Sequence, residues 1–202
     1  MDTSMYWERV STKQRQIAET ARRTKGKSVL SIAHYIDVEW MYCAYELTRK
    51  DGAVGIDGVE AEAYAEHLGE QLQSLVDRLK SGNYRAPAVR RVYIPKAGSS
   101  SEKRPIGIPT FEDKILQRAV HMVLEPIYEG EFYDLSYGFR PGKSAHQALS
   151  HIWKETMNIN GGCIIDMDIS KYFDTIPHEQ LREILGRRVS DGVIHQKRSF
   201  CG

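Results

Sequence analysis

The chain has 202 residues, of which 41% are hydrophobic and 27% are charged, and its formal net charge is +1. This composition is ordinary for a folded globular protein, and the length allows one sizeable core or two small ones. A net charge this close to zero excludes any argument for nucleic-acid binding from overall basicity, so such an argument has to rest on local clusters of Lys and Arg.

The cysteines and the amino-terminal sequence predict a cytoplasmic location. Cys43, Cys163 and Cys201 are odd in number, widely spaced and outside any C-x-x-C motif, which argues against a disulfide framework or a zinc site. The start of the chain lacks the basic leader and apolar run of a signal peptide. No stretch approaches the roughly 20 apolar residues that span a membrane, so we expect no membrane partner.

The first part of the chain is expected to be helical, over residues 1–50. Apolar residues at helical spacing predict a helix over 28–48. The polar stretch 16–23 before it is expected to fray into the break at 25–27. We interpret these helices as packing elements rather than as parts of a site.

A glycine-rich loop follows at residues 50–58, with three glycines in seven residues. Such a loop turns tightly or comes close to another part of the molecule. Asp57 is interpreted as a turn and cap residue rather than a catalytic one. The leucine-rich stripe after the loop predicts an amphipathic helix over 60–80.

The most basic part of the chain comes next, with six Lys and Arg residues in twenty. Its alternating pattern predicts strands over 89–95 and 104–108, joined by a hairpin turn at 96–102. Lys96 and Arg104 would then lie at the tips of adjacent strands, where they could clamp phosphate oxygens. A solvated, charged hairpin is the alternative interpretation.

Three further helices are predicted over 110–125, 143–156 and 177–188. Pro126 is expected to end or kink the first of them. Between the first two lies a loop in which Phe139 and Arg140 stand beside glycines. An aromatic ring and a cation in such a loop suit contact with a nucleic-acid strand by stacking and phosphate pairing.

The stretch 163–169 has strict period-two alternation and predicts a strand. It places Asp166 and Asp168 on one face, where two carboxylates are costly to bury without a cationic partner. Mg²⁺ is the natural partner, because it prefers hard oxygen ligands. An edge strand with solvated acids is the alternative. Trp153, in the preceding helix, is expected to close that helix onto the sheet.

Four segments together resemble one family. They are Gly-Ile-Asp-Gly at 55–58, Val-Tyr-Ile-Pro-Lys at 92–96 with Arg-Pro-Ile-Gly-Ile-Pro at 104–109, Ser-Tyr-Gly-Phe-Arg-Pro-Gly-Lys-Ser-Ala-His-Gln-Ala-Leu at 136–149, and Asp-Ile-Ser-Lys-Tyr-Phe-Asp at 168–174. These resemble motifs of bacterial group II intron-encoded reverse transcriptases, also called maturases. The resemblance covers about residues 11–194 and ends in the polar sequence 195–202.

The resemblance implies a role for particular residues. Asp168 would be the catalytic, metal-binding carboxylate, with the backbone carbonyl of Ile169 as a second ligand of Mg²⁺. Lys96 and Arg104 would hold a deoxynucleoside triphosphate, and Phe173 would crowd the ribose 2′-hydroxyl of that nucleotide. The residues assigned to RNA are Gly55, Gly58, Arg91, Phe139, Arg140 and Lys143. The implied partners are an RNA template (intron RNA) and a DNA or RNA primer.

The resemblance also implies a fold, an α/β (α+β) reverse transcriptase fingers–palm fold truncated before the Tyr-x-Asp-Asp block. The expected organisation is a helical amino-terminal region, 1–50, and a partial reverse transcriptase domain, 51–202. Within the latter we expect an extension loop and helix at 51–84, fingers at 85–160, the start of the palm at 161–194 and a divergent tail at 195–202.

The missing Asp-Asp pair leaves the function open. No two aspartates are adjacent anywhere in the sequence, and two-metal phosphoryl transfer needs more carboxylates than Asp168 supplies. One hypothesis is a mobile-element RNA-directed DNA polymerase that is inactive without a separately encoded remainder of the palm. The other is a non-catalytic RNA-binding fragment or relic. Retron, CRISPR-linked and diversity-generating reverse transcriptases are alternative lineages.

Overall fold

The structure is a computed structural model, which describes residues 3–95, 103–159, 161–170 and 172–194, without the side chains of residues 173 and 174. The helices are α1 (Thr3–Arg23), α2 (Val38–Leu47), α3 (Ala61–Ala65), α4 (Leu68–Lys80), α5 (Phe111–Tyr128), α6 (Ala145–Asn158), α7 (Tyr172–Thr175) and α8 (His178–Arg188), with a 3₁₀ turn at Ala33–Tyr35. The strands are β1 (Val29–Leu30), β2 (Arg90–Pro95), β3 (Lys103–Ile108) and β4 (Val189–Ser190). This mixture confirms the predicted α/β (α+β) class.

The core lies where α1, α2, α4 and α5 pack on one another. Trp40 of α2 is fully buried there, and its indole Nε1 donates a hydrogen bond to the Ala119 carbonyl of α5 at 3.0 Å. A buried indole needs such a partner, because an unpaired N–H in an apolar core is costly. The apolar stripe of α5 is buried along its length, so α5 forms the centre of the packed body.

Helix α1 does not fray as predicted for residues 16–23. It runs without a break to Arg23 and buries Val10, Ile17 and Ala21. These residues recur at helical spacing on the side that packs against α2 and α5. Tertiary packing of that narrow stripe therefore outweighs the polar composition of the rest of the helix.

The single helix predicted over 28–48 is wrong in its first half, because α2 begins only at Val38. Residues Val29 and Leu30 instead pair in parallel with Val189 and Ser190, near the other end of the chain. Asp37 then starts α2, because its Oδ1 accepts a hydrogen bond from the Trp40 backbone N–H at 3.0 Å. The strand pairing is invisible to local periodicity because its partner lies far along the chain.

The helix predicted over 110–125 is confirmed and continues beyond Pro126 to Tyr128. A proline inside a helix leaves the carbonyl four residues earlier without its donor. Here that carbonyl belongs to Met122, and Gln14 of α1 donates its Nε2 to it at 3.3 Å. The contact between helices supplies the donor that Pro126 lacks, and the helix does not end at Pro126.

The predicted hairpin is confirmed, with β2 antiparallel to β3 and Arg90 opposite Ile108 through Pro95 opposite Lys103. The predicted turn at 96–102, including Lys96, lies outside the described residues. The predicted helices over 143–156 and 177–188 are also confirmed, as α6 and α8, while that over 60–80 is divided into α3 and α4.

The strand predicted over 163–169 is not formed, since residues 161–170 contain neither helix nor strand. A strand is stable only when neighbouring strands satisfy its backbone groups, and among the described residues none pairs with this segment. The related prediction for Trp153 is also wrong, because its side chain is 63% exposed and covers no sheet.

Candidate functional site

The glycine-rich loop is fixed to the start of α5 and to β2. Lys114 donates its Nζ to the Ala53 carbonyl at 2.6 Å, and Arg90 donates its Nε to the Val54 carbonyl at 2.9 Å. Gly55 is buried, and a Cβ placed on it would lie 2.5 Å from the Thr110 Cα. Only glycine fits at this position, so Gly55 sets how closely the loop approaches α5.

The tip of the same loop is open to solvent. Gly58 has a φ of 69° and no atom lies within 4 Å of a Cβ placed on it, so this glycine serves the turn rather than a close approach. The Asp57 Oδ1 accepts a hydrogen bond from the Val59 N–H at 3.3 Å, which suits the turn role expected for Asp57. Ile56, between them, is exposed. The loop thus has a fixed base and an accessible tip.

The hairpin presents its predicted cations on two faces. Arg91 pairs with Gly107, and Arg104 pairs with Ile94. Because side chains alternate along a strand, Arg91 and Arg104 project from opposite faces of the ribbon. Both are exposed. The described part of the hairpin therefore does not bring these two cations together, and the predicted pairing of Lys96 with Arg104 stays a prediction.

The loop after α5 is folded around Arg140. Its guanidinium donates from Nη2 to Glu129 Oε1 at 2.7 Å, and from Nη1 to the carbonyls of Tyr133 and Ser136 at 2.7 and 2.9 Å. The guanidinium hydrogen bond lowers the pKa of Glu129 below its ordinary value. Phe139, one residue earlier, is fully exposed. Arg140 is thus hydrogen-bonded inside the protein, whereas the Phe139 ring is exposed to solvent.

Lys143 also takes part in this loop. Its Nζ donates to the Asp134 carbonyl at 3.1 Å and lies 5.1 Å from the centre of the Tyr137 ring. The ammonium is exposed at this position, so it can contact a ligand without losing the whole of its support. The predicted RNA roles of Lys143 and Arg140 stay predictions.

The carboxylates of the predicted metal site lie in residues 161–170, which form neither helix nor strand. Asp166 and Asp168 are both exposed, as is Ile169. Their oxygens are the type that Mg²⁺ prefers, but no three Asp, Glu, His or Cys side chains come together as a metal site within the described ranges. The donors present are thus of the right kind and too few to complete a site. The Phe173 side chain is outside the description.

Helix α5 separates the predicted site residues into two groups. The base of the glycine-rich loop and the hairpin adjoin its amino-terminal end, and the Arg140 loop adjoins its carboxyl-terminal end. An 18-residue helix is roughly 27 Å long at 1.5 Å per residue. The two groups are therefore held apart by a rigid element, at a distance that a nucleic-acid strand can span.

Some structural residues carry no local sequence signal. The buried Arg188 at the end of α8 donates to Glu131 Oε1 at 2.8 Å and to the carbonyls of Ala21 and Thr24 at 2.6 and 3.1 Å. It therefore caps the end of α1, and its partners are remote in sequence. Glu129 was likewise missed, because a glutamate near a helix end usually faces solvent.

The sequence matches a known family over its second half. Residues 94–195 match the family described as reverse transcriptase (RNA-dependent DNA polymerase). The match covers half of the 202 residues, and the chain belongs to this reverse transcriptase family. The predicted fingers–palm class is thereby confirmed for this chain.

Particular relatives narrow the family. The chain is 38% identical over 189 residues to Protein YkfC of Escherichia coli K12, covering 90% of this chain and 49% of that protein. It is 37% identical over 157 residues to the Group II intron-encoded protein LtrA of Lactococcus lactis, covering 77% of this chain and 25% of LtrA. An uncharacterized 91 kDa protein in a cob intron of Schizosaccharomyces pombe is 33% identical over 150 residues, covering 73% and 18%.

These names and the family match confirm the predicted resemblance to group II intron reverse transcriptases. The chain spans about half the length of YkfC and about a quarter of LtrA. Among the described residues, no helix is long and apolar enough to cross a membrane.

Proposed function

We propose that these 202 residues are the template-binding part of a group II intron-type reverse transcriptase/maturase, an RNA-directed DNA polymerase. The observation that carries the proposal is the family match over 94–195. The structure adds support, because a fixed glycine-rich loop and a cationic hairpin adjoin one end of α5 and an exposed aromatic adjoins the other. RNA template and a DNA or RNA primer are the proposed partners, in a reducing cytoplasm that suits the free thiols Cys43 and Cys163.

RNA binding by exposed cations gives a direct test of this proposal. Affinity for a labelled RNA template annealed to a DNA primer is measured by fluorescence anisotropy at several salt concentrations. Replacing the exposed Arg91 by Ala should lower the salt slope by about 1, because one phosphate contact is lost. Arg15→Ala removes an equal charge from the exposed side of α1 and should leave the slope unchanged. Absence of salt-dependent binding by the unmodified chain would refute the proposal.

Catalysis is proposed to require carboxylates in addition to Asp168. Reverse transcriptases generally use divalent metal ions, and Asp168 with the Ile169 carbonyl would contribute ligands for Mg²⁺. In an enzyme completed with a second polypeptide that carries a Tyr-x-Asp-Asp block, Asp168→Asn should abolish primer extension, since removing a metal ligand removes electrostatic stabilisation. Glu155→Gln removes one negative charge from the exposed surface of α6, so it is the matched control and should retain activity.

Nucleotide selection is assigned to three residues in the same completed enzyme. Lys96→Ala and Arg104→Ala should raise the KM for deoxynucleoside triphosphates, because each removes a cation that would contact the triphosphate. Phe173→Ala should instead admit ribonucleotides, because the ring would no longer crowd the 2′-hydroxyl. A Phe173→Ala enzyme that still rejects ribonucleotides would remove that residue from the nucleotide site.

A non-catalytic RNA-binding fragment is the second candidate. The observation that favours it is the absence of any adjacent pair of aspartates in the sequence. The two candidates predict the same RNA binding and differ in whether added carboxylates restore synthesis. If the completed enzyme binds RNA and extends no primer, the second candidate is the better account.

A further inference from the structure

The side chain of Arg140 uses most of its hydrogen-bond donors on its own loop and on Glu129 at the end of α5. Its hydrogen bonds use one N–H on Nε, two on Nη1 and one on Nη2, which is four of the five donors that a guanidinium has. The side chain is only 6% exposed and lies 5.2 Å from the centre of the Phe132 ring. Both carboxylate oxygens of Glu129 accept from it. Little of this guanidinium is left to meet a phosphate.

The neighbouring Phe139 has the opposite character. Its backbone has a φ of 56°, in the left-handed region that phenylalanine rarely adopts. Its ring is fully exposed, with a relative exposure of 105%. A strained backbone of this kind persists only where surrounding contacts hold it. The contacts next to it are those of Arg140, which join the loop to Glu129 at the end of α5.

We propose that Glu129 is a positioning residue for RNA: through Arg140 it fixes the loop 132–143 so that the exposed Phe139 ring can stack on a base of single-stranded RNA. The inference rests on the proposed function for its ligand. It assigns a role to a residue outside the recognised motifs, and it makes Arg140 a scaffold rather than the phosphate contact that the sequence predicts. Aromatic rings stack on bases with little sequence preference, which suits a template strand.

The two possible roles of Arg140 predict opposite effects of Glu129→Gln on the affinity for RNA. If Arg140 contacts phosphate, Glu129 competes with the RNA, so Glu129→Gln should strengthen binding and Arg140→Gln should lower the salt slope by about 1. If Arg140 is a scaffold, Glu129→Gln should loosen the loop and weaken binding. Neither Glu129→Gln nor Arg140→Gln should then change the slope, because no phosphate contact is lost.

The probe is a fluorescein-labelled, unstructured oligoribonucleotide of mixed sequence, titrated with the complete chain. Phe139→Ala should lose about fivefold in affinity or more, because stacking of one base on an aromatic side chain accounts for that factor. Glu129→Gln should also lower the affinity, by less than Phe139→Ala does. Glu131→Gln is the matched control. It also removes one negative charge, two residues further along the chain, but the Glu131 carboxylate binds Arg188 and not Arg140. It should leave the affinity unchanged.

A double-mutant cycle links Glu129 to Phe139. Residues that act through one another are not additive, so Glu129→Gln should have no further effect in a chain that already carries Phe139→Ala. A further loss in that background would overturn the proposed link, as would unchanged or stronger binding by Glu129→Gln alone. If the unmodified chain binds no RNA at all, the proposed function fails, and with it the RNA role of Glu129.

Hydrogen exchange, measured in the absence of RNA, tests whether Glu129 stabilises the conformation of the loop. The Ser136 N–H donates to the Tyr133 carbonyl at 2.9 Å, and the Lys143 N–H to the Arg140 carbonyl at 3.2 Å. Both amides should lose protection in Glu129→Gln and keep it in Glu131→Gln. Equal protection in Glu129→Gln and in the unmodified chain would contradict the positioning role.

Discussion

Helices α5 and α6 both carry apolar stripes at helical spacing, yet α5 buries its stripe and α6 buries no residue. On α5 the stripe packs against α1 and α2. On α6 the stripe faces solvent, and its members are Leu149, Ile152, Trp153 and Met157. Amphipathic spacing thus indicates that a helix has an apolar face. It does not indicate whether the described residues contain a partner that covers that face.

The same contrast divides the molecule. The packed body, formed by α1, α2, α4 and α5, buries large side chains completely. The open segment, residues 144–187, includes α6, α7, the residues around Asp168 and α8 as far as Arg187, and none of its described residues is buried. Stability is therefore expected to reside in the packed body. The proposed catalytic carboxylate lies in the part that contributes least to stability.

Leucines on the two helices should give the largest difference in stability. Leu116 of α5 is fully buried, and Leu149 of α6 is 64% exposed. Leu116→Ala should lower the free energy of unfolding by about 2–5 kcal/mol, since it leaves a cavity in a close-packed core. Leu149→Ala should change it by less than about 0.5 kcal/mol. Urea denaturation of both variants measures the difference, and equal losses would break the comparison.

Replacing the two neighbouring arginines at the end of α8 should give a smaller difference in the free energy of unfolding than replacing the two leucines. The Arg188 side chain is 10% exposed, whereas Arg187 pairs with Glu183 in solvent. Arg188→Met should cost about 2 kcal/mol, less than a fully buried ion pair because Glu131 is partly solvated. Arg187→Met should cost about 0.5 kcal/mol or less. The same urea titrations apply, and a neutral Arg188→Met would mean that α8 does not depend on the packed body.

Asp113 should give the packed body a pH-dependent stability. Burial raises the pKa of Asp113 above its ordinary value of 3.8, although Tyr84 and Gln117 donate hydrogen bonds to it. As the pH rises from about 3.8, the unfolded chain releases this proton before the folded chain does. The contribution of Asp113 is therefore complete below pH 3.8 and falls as the pH rises through the raised pKa.

Unfolding free energies measured across this pH range test the sign. Asp113→Asn should remove the decline, so that the difference between the two proteins varies with pH. The matched control is Asp77→Asn, at an exposed aspartate of α4, which should keep the pH profile of the unmodified chain. A constant difference for Asp113→Asn would show that this carboxyl does not titrate with folding.

Trp153→Lys should have the smallest effect on stability. Its main effect should be on the self-association of the chain. Exposed apolar patches promote self-association, so Trp153→Lys should reduce light scattering at high protein concentration. The free energy of unfolding should change by about 0.5 kcal/mol or less. Unchanged scattering would show that the α6 face is not the surface through which chains associate.

Local patterns were sufficient for much of the fold and for part of the site. The hairpin β2–β3 and helices α5, α6 and α8 follow from alternation, spacing and caps, because those signals lie within the elements themselves. The pairing of β1 with β4 could not be predicted because the two strands lie near opposite ends of the chain. The contacts of Arg188 could not be predicted because its partners lie 57 to 167 residues away in the sequence. The expected strand at 163–169 fails for a related reason, since period-two spacing supplies no neighbouring strand.

Primer extension tests the central claim most directly. The purified 202-residue chain is incubated with an RNA template, an annealed DNA primer, deoxynucleotides and Mg²⁺. We expect binding without synthesis, because Asp168 lies in an open segment and the sequence has no adjacent aspartates to complete a two-metal site. Addition of a polypeptide that carries the Tyr-x-Asp-Asp block should produce extension that Asp168→Asn abolishes. Template-dependent synthesis by the purified chain alone would contradict the account.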